Sequence, residues 1–310
     1  MDDIGIEAWR GGVNVWQCDQ MGHLNVRFYV AHAMEGLAAL AAALGMPRAF
    51  SPGAASTLIV REHHIRFLKE ARAGQGLNMR AGLLSFDEDA ATALQIVRHS
   101  GGEEAAAVFQ TRLVHARAET GVHVFPWPPA MRVQARALAV TVPDGLGPRS
   151  LEPGADDAGV TLAHARDLGL WPHAMGAFRP DECDLLGRVT PHAIMGRISD
   201  GAAHSVTLTR EAFGDLGEEG RRIGMAVVEY RLTYFGEPRA GDRFEVLTGL
   251  AEVLPRRLRF AHWMFEADTG RPLARADAVL LVFDLDTRKS LTLPDAALKA
   301  LQGKAVEGLT

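Results

Sequence analysis

The chain repeats itself. Cys18-Asp19-Gln20-Met21-Gly22-His23-Leu24-Asn25 returns as Cys183-Asp184-Leu185-Leu186-Gly187-Arg188-Val189-Thr190, with Cys, Asp and Gly coinciding at an offset of 165 (Cys18 to Cys183). Downstream, Arg66-Phe67-Leu68-Lys69-Glu70-Ala71-Arg72-Ala73-Gly74-Gln75 parallels Thr233-Tyr234-Phe235-Gly236-Glu237-Pro238-Arg239-Ala240-Gly241-Asp242 at an offset of 167 (Gly74 to Gly241). Chance can produce either match alone. Two matches in the same order, with nearly the same offset, point to a duplicated domain.

Length agrees, since 310 residues suit two domains of about 150 each. A composition of 47% hydrophobic and 23% charged residues excludes disorder and coiled coil. The net charge of −5 gives no general attraction to nucleic acid or anionic membrane, so neither is expected as a partner. Met1-Asp2-Asp3-Ile4-Gly5 is acidic and begins no signal-like apolar run, and no stretch reaches the roughly 18 apolar residues of a membrane helix. A cytoplasmic location is the expectation. Two cysteines make no disulfide framework. Gly145 to Gly159 is rich in Gly and Pro and holds Asp156-Asp157, a stretch that punctuates rather than packs. It divides the chain into residues 1–145 and 160–310, with 146–159 as linker.

Each copy reads as a strand, a long helix and then about four antiparallel strands. In the first copy a short strand holds Val13 and Val15, and a helix runs from Asn25 to about Leu44, with Gly45 as its stop. The second helix runs from Thr190 to about Thr209, with Pro191 in a tolerated first-turn position. Asn25 and Thr190 are both good helix caps. Candidate strands are Thr57–Phe67, Gly76–Phe86, Ala90–His99 and Ala105–Arg117, then Ala226–Phe235, Phe244–Leu254, Leu258–Ala267 and Pro272–Asp284. This is α+β, without the strand–helix alternation of a doubly wound sheet.

A strand, then Asp19, Gly22, His23, Asn25 and Tyr29, then helix and meander, resembles the hotdog-fold acyl-CoA thioesterases, most closely the 4-hydroxybenzoyl-CoA thioesterase-like branch. The second copy keeps Asp184, Gly187 and Val189 but carries Arg188, Thr190 and Ile194 where the pattern has His, Asn and Tyr. The resemblance implies two tandem hotdog domains, each a long helix wrapped by an antiparallel sheet, packed as a pseudo-dimer. It implies acyl-CoA as substrate and no cofactor, with an Asp at position 19, and its match Asp184, as nucleophile or general base. Gly22, His23, Asn25, Tyr29, Gly187 and Arg188 are then the substrate-binding candidates. One departure stands out: the acidic helix residue expected fifteen places after the Asp is here Met34 or Ser199, with Glu35 and Asp200 one place later. Assembly as a homodimer or higher homo-oligomer stays open.

The chemistry supports the same residues on its own terms. Thioester hydrolysis needs an oxygen nucleophile or base and a donor to the oxyanion. A carboxylate is ionised at neutral pH, and a helix start six residues later offers amides in Gly22–Asn25. Each residue also has a plainer reading: Asp19 as a turn residue, His23 as a brace, Asn25 as a cap, Tyr29 as packing. Cys18 and Cys183 read as packing rather than as nucleophiles. Adjacent His63 and His64 in a strand face opposite ways, so no metal site is expected. Arg256, Arg257 and Arg259 form a basic hairpin that suits either solvent or the phosphates of CoA. The alternatives are a non-catalytic acyl-CoA-binding hotdog protein and a hotdog enoyl-CoA hydratase or dehydratase.

Overall fold

The computed structural model describes residues 4–102, 104–117, 123–155, 157–205, 209, 223–287 and 289–309. They form two compact units, one running to Pro148 and including Arg179–Gly196, the other comprising Arg149–Phe178 and the chain from Arg197 on. The second copy's Cys-Asp loop therefore shares a unit with the first copy's.

In the first unit five strands, β1 (Ile6–Gly12), β2 (Ser56–Phe67), β3 (Gly76–Phe86), β4 (Ala90–His99) and β5 (Ala105–Arg117), pair antiparallel in the order β1-β3-β4-β5-β2. The helix α1 (Val26–Ala43) packs against β1 and β3. Its buried face holds Tyr29, Val30, His32, Ala33, Gly36, Leu37, Leu40 and Ala41, at the spacings of three and four that put residues on one side of a helix. Asn25 caps it, its side chain accepting from Arg27 N at 2.9 Å. Gly45, at φ 94°, ends it by taking the left-handed conformation that a side chain resists. Small residues let the sheet reach the helix backbone: Gln95 Nε2 donates to the Ala33 carbonyl at 2.7 Å.

The second unit repeats the plan. Strands β6 (Trp171–Ala177), β7 (Ile223–Tyr234), β8 (Arg243–Leu254), β9 (Arg257–Glu266) and β10 (Pro272–Asp284) pair in the order β7-β10-β9-β8-β6. Here His173 Nε2 meets the Ile198 carbonyl at 2.8 Å, the carbonyl that matches Ala33 at the 165 offset.

The eight strands read after the helices lie within about three residues of the observed ends. Other expectations need correction. The first strand is Ile6–Gly12; Val13 follows it and Val15 opens a one-turn 3-10 helix, because the β1–β3 pairing stops at Gly12. The second long helix is α4 (Pro191–Asp200), followed by helical residues 202–205 and 209. Most of the expected span between 205 and Thr209 lies outside the described residues. Thr190 does not use its side chain as a cap: its hydroxyl donates to the Glu182 carbonyl at 3.0 Å.

Three short helices went unread: α2 (Pro129–Ala137), α3 (Leu162–Asp167) and α5 (Asp295–Gln302). Two of them extend the duplication. After α2 the chain pairs parallel to β3 at Leu83↔Ala139, and after α5 it pairs with β8 at Leu250↔Ala305. Gly82 makes room for the first of these straps, since a Cβ there would sit 2.9 Å from the Leu138 carbonyl oxygen and 2.6 Å from Val140. An alanine normally strengthens a strand relative to glycine. Gly82→Ala is nevertheless expected to destabilise by about 1–3 kcal/mol, because the obstructing atom is backbone. A urea midpoint equal to or above that of the parent would contradict this.

The stretch read as punctuation is anchored. Arg66 Nη1 donates to the Gly145 and Gly147 carbonyls, both at 2.8 Å. The buried Glu229 carboxylate accepts the amides of Arg149, Ser150 and Leu151 at 2.9, 2.9 and 3.3 Å. Arg231 takes Asp157 in a bidentate pair at 3.1 and 2.7 Å. Such charge-assisted contacts hold an otherwise irregular strip of backbone in place. Asp156 lies outside the described residues.

Candidate active site

Both Cys-Asp loops are built alike. A 3-10 turn, Val15–Gln17 or Pro180–Glu182, enters each. Each cysteine closes its turn, Cys18 Sγ donating to Asn14 O at 3.5 Å and Cys183 Sγ to Arg179 O at 3.6 Å. The same contact in both loops gives the repeated cysteine a local role in the turn.

The aspartates then fold the loops around themselves. Asp19 Oδ1 accepts the amides of Met21 and His23 at 2.8 and 3.1 Å. Asp184 Oδ1 accepts those of Leu186 and Arg188 at 2.8 and 3.0 Å. Gly22 and Gly187, at φ 77° and 74°, turn the tips. A Cβ on Gly22 would have nothing within 4 Å, so its role is conformational.

The loops differ in what happens to the other carboxylate oxygen. Arg188 Nε and Nη2 both reach Asp184 Oδ2, at 2.9 and 2.8 Å, which neutralises that aspartate. In the first loop the matching residue, His23, turns away and places Nε2 3.0 Å from Glu70 Oε2. Asp19 Oδ2 has no partner among the described residues, and the side chain is exposed.

Several of the candidate groups are engaged inside the protein. Gly22 N donates to Asp19 O, His23 N to Asp19 Oδ1, Leu24 N to Ala71 O and Asn25 N to Gln17 O. All four amides offered for the oxyanion are spent inside the protein. At the helix start, the N–H of Val26, the first helical residue, has no acceptor among the described residues. Asn25 is the cap its plainer reading gave it. Tyr29 is buried edge-on against Phe67, with centroids 5.3 Å apart, and burial pushes its phenol well above the usual range despite a bond to the Ala71 backbone. It packs. The basic hairpin is partly engaged: Arg256 Nε bonds Thr292 at 2.9 Å and Arg257 bonds Ser150 at 3.0 Å.

Sequence reading missed Glu70, although it lies in the second repeated block beside its match Glu237. It also missed a polar group where α1 and α4 begin. Arg27, on the first turn of α1, lies along Gly196 of α4, where a Cβ would come within 2.8 Å of its Cδ. His192, which matches Arg27 in the repeat, is pushed down to about 4, by burial first and then by the Arg27 charge, against the pull of Glu182 and Glu35. His32 stacks on Trp9 at 4.2 Å, and its pKa is lowered by burial against the opposing charge of Glu35. Trp9 Nε1 in turn donates to Glu35. These contacts join residues far apart in sequence, so no local pattern announces them.

No helix among the described residues is long and apolar enough to cross a membrane. A search of curated proteins finds no match to this chain. Among solved structures, a protein from Lactobacillus plantarum with a provisional oleoyl thioesterase assignment superposes with a TM-score of 0.65 at 13% identity, covering 93% of this chain and 97% of its own. An acyl-ACP thioesterase from Bacteroides thetaiotaomicron gives 0.63 at 11% identity, with coverage of 88% and 96%. The 12:0-ACP thioesterase from Umbellularia californica gives 0.63 at 11%, with coverage of 89% and 93%. Likeness at such identities is likeness of fold, and the fold is the double hotdog. A model of the thioesterase-like superfamily matches residues 13–135 and, separately, 178–301. With both copies matched, the chain belongs to the thioesterase-like superfamily.

Proposed function

We propose that this protein hydrolyses acyl thioesters, releasing the free acid and the carrier thiol, at the first of its two loops. Asp19 is the working carboxylate. The observation that carries this is the asymmetry between the loops: Asp19 Oδ2 is open where Asp184 Oδ2 is closed by Arg188. An open, ionised carboxylate can attack the acyl carbon or take a proton from water; one held by two guanidinium nitrogens is a poor base.

His23 belongs to the same centre. Its ring Nε2 lies 3.0 Å from Glu70 Oε2, and its backbone amide donates to Asp19 Oδ1, so ring and carboxylate belong to one loop. The Val26 N–H, at the positive end of α1, is the donor left to polarise the thioester carbonyl. Acyl-CoA is the carrier we favour, and relatives of similar fold from Bacteroides thetaiotaomicron and Umbellularia californica are described as acting on acyl-ACP. Both carriers present the same thioester.

The test is thiol release from a panel of acyl-CoA and acyl-carrier-protein thioesters, followed with a thiol reagent. Turnover of at least one member is expected. A folded protein that turns over none of them contradicts the proposal.

A further inference from the structure

The corner where α1 ends plays no part in the mechanism above, and it holds a cavity of about 340 Å³. Leu44 and Met46 line it from just beyond α1, His115 from β5, and Pro128 and Met131 from the start of α2. Ligand pockets run from roughly 300 to 1,000 Å³, so this one suits a small molecule. It stands well apart from Asp19. With 18 residues, α1 is about 27 Å long. Asp19 precedes one end of that helix and the cavity follows the other.

The duplication supplies an internal control. Phe125 N donates to His115 O at 3.1 Å, and Leu291 N donates to Val282 O at 2.7 Å. His115 is therefore the counterpart of Val282, and Trp127, two residues past Phe125, is the counterpart of Leu293. The second copy packs Val282, Leu293 and Leu301 into one buried apolar cluster. Aliphatic side chains are thus enough to close this corner of the fold. The first copy has rings instead. His115 stacks on Trp127, with centroids 5.3 Å apart and 14° between the planes, and meets Phe125 edge-on at 4.2 Å. The fold does not need this stack, and His115 carries it to the wall of the cavity.

The lining selects the ligand. Among the described residues it includes no Asp, Glu, Lys or Arg. Burial, against backbone hydrogen bonds to Pro126 and Phe125, holds the His115 ring below its usual pKa and so uncharged at neutral pH. A carboxylate or phosphate entering here would lose water and gain no counter-charge. That excludes a free acid and the phosphates of CoA as occupants. The thioethers of Met46 and Met131 favour an aromatic ring over a saturated one. Ser56 and Gln134, also on the lining, offer a hydroxyl and an amide to one polar substituent. We propose that this cavity is a second binding site, separate from the thioester centre, for a small neutral aromatic molecule with one hydrogen-bonding group, such as an alkylphenol.

Three probes of similar shape test it: 4-propylphenol, the charged 4-propylbenzoate, and 4-propylcyclohexanol, which lacks the aromatic ring. Titration followed by the methyl resonances of Met46 and Met131 gives affinities without any need for turnover. 4-Propylphenol is expected to shift both methyls and to bind about tenfold more tightly than the benzoate. It is also expected to bind several-fold more tightly than the cyclohexanol. His115→Val installs the second copy's residue and is expected to weaken 4-propylphenol by about fivefold. Met46→Ala, at a half-buried position past the helix end, is expected to do the same, and it serves where His115→Val fails to fold. Asp19→Asn is expected to bind the phenol as the parent does. No methyl shift, a benzoate or cyclohexanol bound as tightly as the phenol, or an affinity unchanged by Met46→Ala overturns the proposal. A kinetic arm tests the separation of the two sites. On a thioester that the parent turns over, 4-propylphenol is expected to leave KM unchanged. A KM that rises in proportion to the phenol, and does not in Met46→Ala, would make the cavity part of the thioester centre and overturn its independence. If no thioester is turned over, the thioesterase reading falls and the titration still decides whether the cavity binds the phenol.

Discussion

Asp19→Asn is expected to lower kcat by 10²- to 10⁴-fold while leaving the melting temperature within a degree or two of the parent, on the order of what loss of a catalytic carboxylate costs. The substitution separates chemistry from architecture because asparagine keeps an oxygen at Oδ1. The Met21 and His23 amides still find their acceptor, so the loop stays closed. What is lost is the charge, and with it the basicity of Oδ2. Asp19→Ala removes both and is expected to lose stability as well as turnover. If Asp19→Asn turned over like the parent, Asp19 would be a turn residue and the centre would lie elsewhere.

Asp157→Asn carries the largest expected stability effect, a loss of about 3–5 kcal/mol. Asp157 sits between two arginines, Arg231 at 2.7 Å and Arg275 at 3.4 Å, and Arg275 is shared with Asp277 at 2.8 Å. All four are nearly buried, with Asp157 the most exposed at about a tenth. The set is electrically balanced, two cations against two anions. Neutralising one anion leaves a net positive charge where water cannot reach to compensate it. Urea unfolding at neutral pH reads the effect directly, and a change under 1 kcal/mol would show that this network is better solvated than its burial implies.

Much of the fold was legible because the duplication states it twice. The strand ends came through where apolar runs meet Gly or Asp turns, as at Gly76 and Asp284. Val15 misled because alternation alone does not say which residues find a pairing partner: the β1–β3 ladder ends at Gly12 opposite Gly76, and Val13 bonds only to Gly74 and Gln75 of the turn before β3. In the linker stretch, long-range contacts were equally illegible. Glycine and proline forbid regular structure in 146–159 but do not prevent Glu229 and Arg231, some seventy to eighty residues on, from gripping its backbone. At the site, Asp19, Gly22 and His23 could be named from their spacing. That the Gly22–Asn25 amides are spent could not, since their acceptors include Ala71, which arrives from the far side of β2. Nor could Glu70 be set beside His23 before three-dimensional neighbours were known.

The most direct measurement of the central claim is thiol release by Asp19→Asn and Asp184→Asn side by side, on the substrate the parent turns over fastest. With one open loop and one sealed by Arg188, Asp184→Asn keeps kcat within about threefold of the parent while Asp19→Asn loses at least a hundredfold. Equal losses in the two variants, or a larger loss at 184, would contradict the account.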